Sequence, residues 1–128
     1  YTGTFKYIED IPGWFLEGLA VCVSSGGGAE NVTTQQAESA LRRTPRFVPE
    51  DTGSLLRQKS AHSYGLEPHM YYRQAGNFVA YLKQTDPMGF EAAFNALLNG
   101  ERFRDVWKKH YGRAISDLWR GYEKHLGV

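Results

Sequence analysis

Apolar positions along this chain repeat with a helical period rather than a strand period. The clearest run is Tyr71, Ala75, Phe78 and Leu82, spaced i, i+4, i+7 and i+11, with Pro68 placed to occupy the first turn of the same helix. Asp86-Pro87 opens a following helix that carries Phe90, Phe94, Leu97 and Leu98 as far as Asn99-Gly100. Beyond it, Phe103, Val106, Trp107 and His110 share one face of a helix closed by Gly112. Ser116 then stands as the cap of a last helix burying Leu118, Trp119, Tyr122 and Leu126. Upstream, a helix starts near Pro12 and stops at Ser24-Ser25-Gly26-Gly27-Gly28, where consecutive glycines cannot hold it. Thr33 and Gln36 form a capping box for a short helix through Arg43, ended by Pro45. No segment alternates with period two between hairpin turns, so the pattern predicts an all-α fold, a single irregular helical domain over residues 1–128. Residues 25–33 and 44–67 are expected to be flexible loops, rich in glycine, proline and charge, with one short helix from Ser54 to Lys59.

Within this frame Trp14, Phe15, Leu19, Phe78, Leu82, Phe94, Trp107, Trp119 and Tyr122 form the predicted core. The chain has 128 residues, 41% hydrophobic, enough for one core of the usual size. Three Trp, eight Tyr and seven Phe supply much of it. Fifteen basic and fourteen acidic residues leave a net charge of +1, which provides no global field for nucleic acid. The basic clusters Arg42-Arg43-Arg46 and Lys108-Lys109-His110-Arg113 lie near predicted helix C-termini, where the helix dipole favours cations. No apolar run is long enough to span a membrane. Cys22 is the single cysteine, so there is neither an internal disulfide nor a Cys-x-x-Cys site, and its spacing marks a small core residue.

The chemistry concentrates in Trp14-Phe15-Leu16-Glu17-Gly18-Leu19-Ala20, where a carboxylate interrupts an apolar helix and a glycine follows it. Helical spacing puts Trp14, Glu17, Gly18 and Val21 along one side, so Glu17 is expected to face a packed surface and to need a basic partner, a proton or a metal. Glycine inside a helix costs roughly 0.5–1 kcal/mol relative to alanine, a cost offset where a second helix or a ligand must approach closely.

This heptad resembles the helix that carries the third zinc ligand in gluzincin metallopeptidases, written Trp-Leu-x-Glu-Gly-Phe-Ala in their aminopeptidase branch. Trp14, Glu17, Gly18 and Ala20 match, with Phe15 and Leu19 as apolar equivalents and Pro12 in its usual place upstream. Residues 71–82 are similar to a helix of bacterial peptidase-like proteins reading Tyr-x-x-(Ala/Ser)-x-x-Phe-Val-x-Tyr-Leu, and the helices after it follow in the same order. The likeness extends over residues 11–126.

What the resemblance implies is a zinc ligand at Glu17 and a fold like the C-terminal subdomain of gluzincins. A Tyr or His downstream would stabilise the oxyanion of peptide hydrolysis, with His69, Tyr71 and Tyr72 as candidates. Arg57 and Arg73 are candidate holders of a substrate carboxylate, although a solvated helix face explains them equally well. The H-E-x-x-H helix that supplies two imidazoles and a general base in that family is absent: His62, His69, His110 and His125 include no pair four apart. These residues are therefore expected to be the C-terminal part of a longer zinc-dependent peptidase, acting on a peptide or protein and exported as many bacterial relatives are. Alone they are expected to hold no zinc and to be inactive. The alternative is a non-catalytic helical binding module of gluzincin ancestry.

Overall fold

The computed structural model describes residues 10–24, 32–43, 45–51 and 59–128. Six α-helices occur in them: α1 (Gly13–Val23), α2 (Thr34–Ala40), α3 (Pro68–Thr85), α4 (Pro87–Leu98), α5 (Phe103–Val106) and α6 (Ile115–Leu126). A 3-10 turn at His62–Tyr64 precedes α3, and a π turn at Trp107–Tyr111 continues α5. No strand is formed among the described residues, so the all-α expectation is met. The glycine run at 26–28, most of the short helix proposed at 54–59, and Arg57 lie outside the described residues.

The helix starts follow local chemistry. Thr33 Oγ1 accepts the Gln36 N–H at 3.1 Å while Gln36 Oε1 accepts the Thr33 N–H at 2.8 Å, which completes the capping box. Asp86 Oδ1 accepts the Gly89 N–H at 2.9 Å, with Pro87 in the first turn of α4. Glu67 caps α3 through the Met70 N–H. The last helix departs from expectation: Ile115 already starts it, Ala114 occupies the cap position with no side-chain bond, and Ser116 lies exposed in the first turn. Burial of Ile115, 2% exposed, draws the start of α6 forward.

The core is aromatic. Trp14, wholly buried, contacts Phe15, Phe47, Phe78 and Phe103 with ring centroids 5.4–5.9 Å apart. Seven of the nine predicted core residues are buried, and Leu19 and Phe94 are half-buried against them. Phe47 was not foreseen. It comes from a stretch with little apolar content, yet its ring is fully buried, and its N–H donates to Gln74 Oε1 at 3.0 Å. Residues 45–51 are thereby tied to α3 on one side and, through Trp14 Nε1 donating to Glu50 O at 2.7 Å, to α1 on the other.

The π turn also changes a predicted face. In a regular helix His110 would follow Trp107 toward the core. The wider turn brings Tyr111 round instead, where its ring contacts Trp107 at 5.8 Å and its hydroxyl donates to Leu82 O at 2.8 Å. His110 moves to the edge, with Nε2 3.2 Å from Glu101 Oε1.

Helices α1 and α3 cross where two glycines face each other's helix. A Cβ at Gly18 would lie 2.6 Å from Val79 Cγ2 and 2.8 Å from the Ala75 carbonyl oxygen; one at Gly76 would lie 2.7 Å from Val21 Cγ1. The close approach expected of Gly18 is thus to a helix. Gly18→Ala should lower stability, because a steric cost of about 1–3 kcal/mol outweighs the ~1 kcal/mol regained in helix propensity, the carbonyl being unable to rotate away. The same change at Gly121 in α6, where the nearest atom to a new Cβ is Tyr81 Oη at 3.8 Å, should stabilise instead. Urea midpoints at unchanged m-value check both signs.

Candidate functional site

Glu17 follows Leu16 on the rim of α1, and the crossing decides where it points. With Gly18 turned onto Ala75 and Val79, the residue before it is rotated out of the interface. Glu17 is accordingly exposed, which corrects the expectation of an inward-facing acid. It opens onto a cleft of about 430 Å³ formed between α1, residues 59–62 and the first turns of α3. Tyr71 and Tyr72 line the same cleft, as do Lys59 and His62.

The structure therefore brings together three of the four candidate site residues. His69 does not line this cleft, although it belongs to the same helical turn as Tyr71 and Tyr72. Tyr71 is 2% exposed and takes part in an aromatic cluster, stacked on Tyr64 at 5.7 Å and edge-on to Phe47 at 6.0 Å. Burial raises its phenol pKa above the ordinary range, and the charges of Tyr64, Glu17 and Glu50 push it the same way. It remains a neutral hydroxyl at physiological pH. Tyr72 is half-buried and more open than its neighbour.

Glu17 makes no ion pair or hydrogen bond among the described residues. Its carboxyl pKa is raised by desolvation alone, since the walls of the cleft limit the water available to it. No group of three His, Cys, Asp or Glu residues able to hold a metal exists among the described residues. One carboxylate does not complete a zinc site, which takes three protein ligands and an open position.

The remaining candidates lie elsewhere. Arg73, considered for a substrate carboxylate, turns away from the cleft, its Nε donating to Val32 O at 2.8 Å. With Lys83 and Cys22 it borders a separate hollow of about 580 Å³. The Cys22 thiol there is half-buried, donates to Gly76 O at 3.5 Å, and has its pKa raised by burial against the opposing charges of Lys83 and Arg73. It is a packing residue, not an activated nucleophile. A larger hollow of about 700 Å³ beside Thr33, Gln36 and Arg43 contains neither an acid nor an aromatic ring. Lys59 and His62 were missed as cleft residues. Tertiary contacts place their segment at the cleft: Tyr64 packs on Tyr71 of α3 and on Phe47, and the Lys59 N–H donates to the Glu50 carboxylate.

No described helix is long and apolar enough to cross a membrane. Comparison of the chain with family models, curated proteins and solved structures finds no match.

The raised pKa of Glu17 has a defined sign in stability. The folded state holds the proton to higher pH than the unfolded chain, so stability falls as pH rises from the ordinary glutamate range through the folded pKa. Glu17→Gln should remove this fall, leaving the variant more stable relative to wild type at pH 7 than at pH 4. Because Glu17 is exposed, solvent screening keeps the effect small. Paired urea titrations at the two pH values, with a side-chain carboxyl NMR titration of Glu17, check the direction.

Proposed function

We propose that this chain is the helical subdomain of a zinc-dependent peptidase-like protein, contributing one metal ligand, Glu17, and part of the substrate cleft. The observation that supports the reading is a carboxylate with no partner among the described residues, set on the rim of a tightly packed helix and facing a cleft that two tyrosines line. Glu17 offers its oxygens with no protein partner among the described residues, as a metal ligand must, and a bound divalent cation would offset the desolvation that raises its pKa.

Glu17 would hold its share of the metal, which when bound would acidify water and polarise a carbonyl. Tyr72, the more open of the two tyrosines, is the better placed to offer a hydroxyl to a developing oxyanion, whereas Tyr71 builds the wall. Two further ligands and a general base would come from an H-E-x-x-H segment outside residues 1–128.

The test begins with the coding sequence preceding Tyr1. A product that includes an H-E-x-x-H segment should carry one zinc per chain by metal analysis, and Glu17→Ala should lower zinc affinity by at least about tenfold, as expected for loss of a direct ligand. Residues 1–128 alone should bind zinc weakly and hydrolyse no peptide. Unchanged zinc occupancy in the Glu17→Ala protein, or no zinc in the longer chain, would remove the peptidase reading and leave a helical binding module.

A further inference from the structure

Charge in the Glu17 cleft is distributed unevenly. Glu17 supplies a negative wall from α1, and Lys59 supplies a positive one from the segment facing it. Between them Leu16, Ala61 and the rings of Tyr71 and Tyr72 provide an apolar floor. Lys59 makes no ion pair among the described residues. Its Nζ lies 5.5 Å from the centroid of the Tyr64 ring, and that ring stacks on Tyr71 at 5.7 Å, so aromatic contacts hold the ammonium beside the cleft, with the Glu50 charge attracting it but forming no ion pair with it. Glu50 is the nearby acid. It senses the Lys59 charge and accepts the Lys59 backbone N–H, but its Oε1 is buried and the residue does not line the cleft. The Lys59 ammonium therefore keeps donors open toward an anionic ligand.

Size narrows the ligand further. A volume of about 430 Å³ lies toward the small end of the roughly 300–1,000 Å³ typical of small-molecule pockets, which suits one or two amino-acid residues and not a folded chain. Glu17 repels an anion on its own side, so a ligand with one carboxylate is oriented with that group toward Lys59. We infer that the cleft recognises a short peptide, or an acylated amino acid, by its free α-carboxylate at Lys59 and by an apolar side chain on the Leu16–Ala61–Tyr71–Tyr72 floor.

This ligand assignment rests on the cleft proposed above as the functional site, but its test needs no metal. N-acetylphenylalanine and N-acetylphenylalaninamide are titrated separately into the 128-residue chain, with binding followed by amide and aromatic NMR shifts. The acid should bind at least about tenfold more tightly than the amide, the difference expected for one charge-assisted contact. Lys59→Met, which keeps the aliphatic stem, should bring the acid to the level of the amide and leave the amide unchanged; Lys59→Arg should retain most of the preference. N-acetylglycine should bind more weakly than N-acetylphenylalanine. Equal affinity for acid and amide, absence of saturable binding by both, or a preference that survives Lys59→Met would overturn the inference. Zinc in the longer chain without the acid preference removes this ligand assignment alone. The acid preference without zinc removes the metal assignment alone.

Discussion

The close crossing of α1 and α3 is the constraint on which the rest of the structure depends. Gly18 and Gly76 remove the side chains that would hold these helices apart, and the gap that remains is filled by Val21, Ala75 and Val79. Successive helical residues are turned by about 100°, so a residue adjacent to the buried glycine is carried to the rim. Glu17 and Gly18 are thus two consequences of one packing arrangement. The glycine lets the two helices close, and the same helical rotation carries the neighbouring carboxylate to the edge that lines the cleft.

A second set of contacts holds the facing wall. Residues 45–51 and 59–67 have no sheet partner to fix them, and side chains do that work: Phe47 in the aromatic core, Gln74 accepting its N–H, Trp14 donating to Glu50 O, and Tyr64 stacked on Tyr71. At the far end Arg46 pairs with Glu123 at 2.6 Å, joining the same connection to α6. Tyr71 belongs both to this network and to the cleft, so the wall and the anchoring of the connection share a residue.

Much of the fold was legible in the sequence because its signals are local. Caps at Thr33 and Asp86, prolines in first turns and the apolar stripe of α3 act over one or two helical turns, and each element appears where those signals place it. The misreadings arise where distant residues decide. Burial of Ile115 overrode Ser116 as a cap, and the π turn exchanged His110 for Tyr111, neither of which spacing alone reveals. At the site, helical periodicity placed Glu17 on the Trp14–Gly18 side but not whether that edge is covered, because coverage depends on α3 and on residues 59–62. Lys59 and His62 carry no motif, and their place in the cleft follows from tertiary contacts such as Tyr64 on Tyr71 and the Lys59 N–H on Glu50.

The wide turn at Trp107–Tyr111 can also be considered as a length of chain. A π turn closes a wider ring than an α turn, so it holds one residue more over the same rise. Here the segment has two defined ends: the Phe103 N–H donates to Asp10 Oδ2 at 2.8 Å, and Gly112, with φ of +96°, closes it. Between these ends Trp107 is buried and the Tyr111 hydroxyl is bonded to Leu82 O, so the extra residue is absorbed by the width of the turn. The gain or loss of a single codon here would accordingly change which of two neighbouring side chains, an imidazole or a phenol, meets the core.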